Sequence, residues 1–297
     1  MEKKTILIIG KNGQLAQALL SQASSFDFNK IVAFNREELN VLDEVKLKEV
    51  LADIKPDIVV NTSTMQVMSQ CENDPYGAFK INFLAVKNLA NLCKENKAIL
   101  VTFSSDYVFS GRQDRLNEEI DKTEPLQMYG LSKLAGEYAV LTVYPEGTYV
   151  IRTCGLYGGL FGSPDKGNFV LNMIKEAQAK DLIEVSSDQI VSPTFADDLS
   201  KAVLKLLDLK AEPGIYHLIN EGSCSWYEFT QEIFKLANIK KELRGVDRGG
   251  FSGNSNRPKF SALKNVKAKA LGVSLPTWQQ GLKTYIDFLK DHNRLKN

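Results

Sequence analysis

The run Thr5-Ile6-Leu7-Ile8-Ile9 is wholly β-branched or aliphatic; it stops at Gly10 and continues as Lys11-Asn12-Gly13-Gln14-Leu15-Ala16. An unbroken apolar run of this length fits a strand buried on both faces, and so a parallel sheet covered by helices. After Gly10 the apolar positions Leu15, Ala16, Leu19 and Leu20 fall at helical spacing. Strand, glycine turn and helix is the setting of a dinucleotide fingerprint, spaced here Gly10-x-x-Gly13-x-x-Ala16, with alanine in the third place. The free N–H groups of such a helix start would face a pyrophosphate. A plain strand-to-helix turn has the same spacing, so the motif alone assigns no cofactor.

The alternation continues. Strands are expected over 31–34, 57–61, 98–103, 149–153 and 214–219, and helices around 47–51, over 78–94, from Tyr129 onward, and over 169–180, 226–236 and 275–289. Strands alternating with helices imply an α/β fold: a doubly wound, Rossmann-like parallel sheet with a smaller, mainly helical carboxyl-terminal domain. The expected division gives residues 1–155, with about 190–218, to the cofactor domain, and 156–189 and 219–297 to the substrate domain. The glycine-rich segments 155–167 and 248–258 read as loops, the second as a mobile one.

Ligands of an open parallel sheet bind beyond the carboxyl ends of its strands. That rule selects 10–15, 35–36, 61–64, 104–106 and 152–155 as the rim of a site. Arg36 follows the second strand, where an arginine suits the 2′-phosphate of NADPH; Glu37 beside it leaves NADH open, and Arg36 also fits a solvated surface charge. Ser105, at a strand end, could donate to a substrate carbonyl or simply cap a turn. Tyr129 and Lys133 are four apart, so on a helix they share a face, and the ammonium should lower the phenol's pKa from near 10.

Composition excludes several alternatives. With 37 basic and 36 acidic residues in 297 there is no bulk charge to attract nucleic acid or an anionic membrane. Four scattered cysteines and only two histidines suggest buried thiols rather than a disulfide framework or a metal site, and no histidine near Asp106 argues against a Ser-His-Asp hydrolase. The first residues lack the apolar stretch of a signal peptide, and no run is long enough to span a bilayer, which fits a cytoplasmic protein.

The order of these signals resembles the extended short-chain dehydrogenase/reductases and, more narrowly, the dTDP-4-dehydrorhamnose reductase family. The resemblance runs over nearly the whole chain. It is carried by Gly10 to Leu15, Asn61 to Ser63, Ser104 to Gly111, Pro125 to Lys133, Arg152-Thr153, Tyr157-Gly158, Asn168 to Val170, Pro193-Thr194, Gly214 to His217, Ser225 to Phe229 and Arg257-Pro258. It implies reduction of the 4-keto group of a dTDP-4-keto-6-deoxy-sugar by NADPH. In that reaction Tyr129 would donate the proton, Lys133 would lower its pKa and bind the nicotinamide ribose, and Ser105, replacing the usual threonine, would polarise the carbonyl. The resemblance further implies cofactor contacts at Gly10, Asn12, Gly13, Gln14, Leu15, Asn35, Arg36, Asp43, Thr62, Ser63, Tyr129 and Lys133, and substrate contacts at Ser105, Asp106, Val108, Asn168 and Arg257. A homodimer is compatible with it.

Four positions depart from the family pattern: Met65, Ser69, Gly155 and Val191. Gly155 stands where the family carries a tryptophan beside the sugar, which points to an altered sugar pocket unless Tyr157 or Phe161 fills the space. Two other readings stay open. An epimerase or dehydratase of the same superfamily would share Tyr129 and Lys133, but a dehydratase's acidic pair is missing after Ser105, where Asp106 and Tyr107 stand. A non-catalytic cofactor-binding subunit could keep all three residues.

Overall fold

The computed structural model describes residues 4–23, 26, 28–112, 115–159, 167–252 and 255–295. Six parallel strands form one sheet in the spatial order Gly214–His217, Thr148–Thr153, Ile99–Ser105, Ile58–Asn61, Lys4–Ile9, Phe28–Phe34. From Lys4–Ile9 the chain goes first to Phe28–Phe34 on one side and then to Ile58–Asn61 on the other. That reversal opens a crevice at the carboxyl ends of Lys4–Ile9 and Ile58–Asn61, where a doubly wound sheet binds ligands.

The strand pleat explains the apolar runs. Ile6 and Ile8 point to one face and pack with Leu15, Leu19, Leu199 and Val203; Leu7 and Ile9 point to the other and pack with Leu47, Leu51, Leu89 and Cys93. Burial on both faces is what an uninterrupted aliphatic strand requires. A separate aromatic core gathers Tyr157, Phe195, Phe229, Trp278 and Tyr285. The helix Trp226–Ala237 in that core starts from a capping box between Ser225 and Glu228.

The single helix expected over 78–94 is instead Pro75–Phe79, a π-helical turn Lys80–Ala85, and Val86–Glu95. Inside the π turn the buried Asn82 bonds both backbone groups of Met65, the Thr64 hydroxyl and Ser132 Oγ. One side chain thereby ties the loop after Ile58–Asn61 to the helix Met128–Val143, a typical use of a π bulge. The segment expected as a mobile loop over 248–258 carries a small antiparallel ladder between Phe251–Ser252 and Ser255–Asn256, with Ser255 buried. The glycine-rich 155–167 segment begins with a strand, Leu156–Tyr157, paired to Thr194–Phe195. All four cysteines are buried thiols outside any disulfide. Among the described residues, no helix is long and apolar enough to cross a membrane.

Candidate active site

The carboxyl ends of the central strands open into one cleft of about 1150 Å³. At one end lies the turn after Lys4–Ile9. Gly10 has φ +96°, and a Cβ there would fall 2.6 Å from Thr62 Oγ1, so no other residue fits without displacing that side chain. Thr62 Oγ1 donates to the carbonyls of Ile9 and Gly10 at 2.8 and 3.2 Å, fixing the turn against the next strand. The helix Gln14–Ala23 starts at the cleft, and Gln14 Oε1 is buried there without a partner. Bare backbone, a helix start and the Arg36 side chain on the cleft wall suit a dinucleotide phosphate.

In the middle of the cleft stand Ser105, Asp106, Tyr129 and Lys133. Gln127 accepts from the Gly130 N–H and so starts the helix Met128–Val143 next to Ser105. The Tyr129 phenol has the hydroxyls of Ser105 and Thr64 as neighbours. Ser105 Oγ donates to Asp106 Oδ1 at 2.8 Å and accepts from Tyr107 N–H at 3.2 Å. Burial pushes the Tyr129 phenol upward, the Asp106 carboxyl adds to the rise, and the neighbouring Ser105 and Thr64 hydroxyls pull it back. The direction is opposite to the fall expected from Lys133, because burial is the largest influence on the phenol. Burial also lowers Lys133, to about 8, against the pull of Glu137. A phenol held protonated beside a lysine near neutrality is suited to giving a proton.

The cleft is also lined by Gly155, Asn168, Val191, Trp226 and Arg257. Arg257 Nε is buried without a hydrogen-bond partner, as expected of a guanidinium placed for an anion. Gly155 has φ +54°, and a Cβ there would lie 3.2 Å from Cη2 of Trp226 and 3.2 Å from Cα of Pro193. The ring beside Gly155 is therefore that of Trp226, held against Phe169 at 4.3 Å between ring centroids. Tyr157 is stacked on Phe195 in the second core, and Phe161 lies outside the described residues.

Of the residues singled out in the sequence, Gly10, Asn12, Gly13, Gln14, Leu15, Arg36, Thr62, Ser63, Ser105, Asp106, Tyr129, Lys133, Asn168 and Arg257 line this cleft. Asn35, Asp43 and Val108 have other contacts. Asn35 exchanges hydrogen bonds with Glu38, at 2.8 and 2.9 Å. Asp43 caps the helix Glu44–Ile54 by accepting from Lys46 N–H at 3.0 Å. Val108 is fully buried in an apolar cluster with Phe109 and Leu134. Asn168 reaches the cleft wall, but its Oδ1 caps the helix Phe169–Ala179 and its Nδ2 donates to the Tyr285 hydroxyl at 2.9 Å. The sequence reading had Thr64 only as part of the rim 61–64 and missed Asn82 and Trp226, of which only the tryptophan carried a signal, inside the Ser225 to Phe229 motif.

Residues 4–290 match the family described as RmlD substrate binding domain. Curated relatives include the spore coat polysaccharide biosynthesis protein SpsK of Bacillus subtilis, 32% identical, with 95% of this chain and 96% of that protein covered. The dTDP-4-dehydrorhamnose reductase of Escherichia coli is 30% identical, covering 96% of this chain and 97% of its own. Among solved structures, the dTDP-4-dehydrorhamnose reductase of Bacillus anthracis in complex with NADP is 32% identical and superposes with a TM-score of 0.90, covering 96% of this chain and 99% of that one.

Proposed function

The chain belongs to the dTDP-4-dehydrorhamnose reductase family, and from that membership we propose that it reduces the 4-keto group of a dTDP-4-keto-6-deoxy-sugar with NADPH. The best-supported substrate is dTDP-4-dehydrorhamnose, giving dTDP-L-rhamnose. The observation that carries this reading is the gathering of Ser105, Tyr129 and Lys133 in one cleft with the Gly10 turn. The turn, Thr62, Ser63 and Arg36 would hold the cofactor, which when bound supplies a hydride to the carbonyl carbon. Arg36 supports NADPH over NADH through the extra phosphate.

The protein's own part is then proton supply and charge stabilisation. Tyr129 gives its phenolic proton to the oxygen left negative at C4; its upward displacement keeps that proton in place at neutral pH until an alkoxide, a far stronger base, forms. Ser105 donates a hydrogen bond to the same oxygen as its charge grows. Lys133, as an ammonium, stabilises the tyrosinate that remains and bonds the cofactor's ribose. Arg257 would pair with the substrate diphosphate, which meets the partnerless Nε.

Purified protein is expected to oxidise NADPH when given enzymatically generated dTDP-4-dehydrorhamnose. Tyr129→Phe should lose about 100- to 10,000-fold in kcat while binding NADPH with unchanged affinity. Cofactor binding by the wild type without turnover would instead favour the regulatory-subunit reading.

A further inference from the structure

Two of the residues that line the cleft, Ser255 and Arg257, come from the carboxyl-terminal segment 248–261. A long, flexible side chain binds an anion well only when the backbone that carries it is already in place, because ordering it on binding costs affinity. What fixes this backbone is a carboxylate outside the cleft. It belongs to Asp188, in the turn that follows the strand Leu182–Ser186.

Asp188 is half-buried, and three donors converge on it. Its Oδ1 accepts from Ser186 Oγ at 2.6 Å and from the Arg248 N–H at 3.2 Å, and its Oδ2 accepts from the Gly250 N–H at 3.1 Å. Gly250 passes the constraint on, since its carbonyl accepts from the Arg257 N–H at 2.6 Å. Gly250 has φ +79°, and a Cβ there would lie 2.9 Å from the Arg257 carbonyl oxygen, so the two stretches meet backbone to backbone and glycine alone closes the contact. Beyond Arg257, the Ile190 N–H donates to the Lys259 carbonyl at 2.8 Å and the Ser261 N–H donates to the Ile190 carbonyl at 2.9 Å. That limb is held by backbone bonds that nearly any residue at position 190 can make. The limb before Arg257 is tied to the same turn by a side chain, the Asp188 carboxylate.

We infer that Asp188 is a positioning residue for substrate binding: by holding the backbone of Arg248 and Gly250 it sets the Arg257 backbone, and so aims the guanidinium at the diphosphate of the sugar nucleotide. This rests on, and deepens, the reading of Arg257 given above. Without the carboxylate, the N–H of the buried Gly250 loses its acceptor, and the limb must shift to find another. Ser105, Tyr129, Lys133 and the Gly10 turn stand on other elements, so the shift bears on substrate affinity and not on proton supply or cofactor binding. Asp188 itself neither touches substrate nor transfers a proton.

Calorimetric titration of the 297-residue chain with dTDP, which carries the diphosphate and no hexose, tests this without turnover. Arg257→Ala is expected to weaken dTDP binding about 30-fold and Asp188→Ala about tenfold, the range of hydrogen bonds to a charged group. Gly250→Ala keeps the carboxylate but spoils the contact with Arg257, and should match Asp188→Ala. NADPH affinity should be unchanged in all three, which also shows that they fold. Because Asp188 acts through the arginine, the double variant Asp188→Ala/Arg257→Ala should bind dTDP within about twofold of Arg257→Ala alone. In steady state, Asp188→Ala should raise KM for the sugar nucleotide about tenfold and leave kcat within about twofold. A full, additive loss in the double variant, or a fall in kcat and NADPH affinity in place of the rise in KM, overturns the inference and leaves Asp188 a structural residue. Asp188→Ala binding dTDP as wild type does, while Arg257→Ala does not, overturns it as well. Arg257→Ala binding dTDP as wild type does removes instead the diphosphate reading of Arg257, and the inference with it.

Discussion

A phenol on an exposed helix face ionises near pH 10, and an ammonium one turn away lowers that value. Tyr129 is half-buried in the cleft, and the balance reverses: burial raises it, while the neighbouring Ser105 and Thr64 hydroxyls moderate the rise. Lys133 bears the complementary cost, its ammonium weakened to about 8 by the same burial. The charge on Lys133 is thus present at pH 7 and lost as pH rises through about 8, so kcat/KM for reduction should fall above that pH. Lys133→Arg, which stays charged, should keep a lower rate with no such decline; an unchanged decline would detach it from Lys133. Tyr129, Lys133 and Ser105 were legible from residue type and spacing. The direction of the tyrosine shift was not, because burial is a property of the closed cleft and not of a pentapeptide.

Among the elements, the sheet was readable because buried parallel strands leave unbroken aliphatic runs, and Thr5 to Ile9 has Ile6 and Ile8 in one core and Leu7 and Ile9 in the other. The π turn Lys80–Ala85 was not readable, since its apolar spacing continues the helical period while its cause, the Asn82 bonds to the 64–65 loop, is tertiary. The ladder Phe251–Ser252 with Ser255–Asn256 hid for a different reason: two-residue strands leave no periodic signal. Nor could the sequence say that Trp226 sits beside Gly155. An indole held against Phe169 on the cleft wall would offer a bound sugar an apolar face. Trp226→Ala is expected to weaken binding of dTDP-rhamnose about tenfold, measured by calorimetry, and to leave dTDP alone within twofold. Equal losses for both ligands would assign Trp226 a structural role. Gly155→Trp, with a Cβ already 3.2 Å from Trp226 and φ at +54°, should lower affinity for the sugar nucleotide, not raise it.

At the scale of the molecule, a buried polar cluster joins the sheet to the carboxyl-terminal segment. Arg152 and Glu137 pair at 2.6 Å, each 3% exposed, and Arg152 donates toward His217 Nε2 at 3.5 Å while His217 Nδ1 faces the Lys264 carbonyl at 3.2 Å. A ring with one nitrogen toward a cation's N–H and the other toward a carbonyl is neutral with its proton on Nδ1. Burial, and next the Arg152 charge, lower His217 to about 3. The unfolded chain therefore binds the histidine proton first, so this contribution to stability is full above about pH 6.5 and is lost as pH falls toward 3. Asp106, displaced upward, acts in the opposite sense. Comparing urea midpoints of wild type and His217→Gln isolates the histidine: the wild type should lose about 2 kcal/mol more than the variant between pH 7 and pH 5. Equal losses would show that His217 is not buried neutral.

The central claim concerns one reaction, and its most direct measurement is the product. The 297-residue protein is incubated with NADPH and dTDP-4-dehydrorhamnose, cofactor oxidation is followed optically, and the sugar nucleotide is identified by NMR. The account predicts one NADPH consumed per dTDP-L-rhamnose formed, with Tyr129→Phe forming almost none. Cofactor that binds but is not oxidised, or a 4-keto sugar returned epimerised and unreduced, would contradict it.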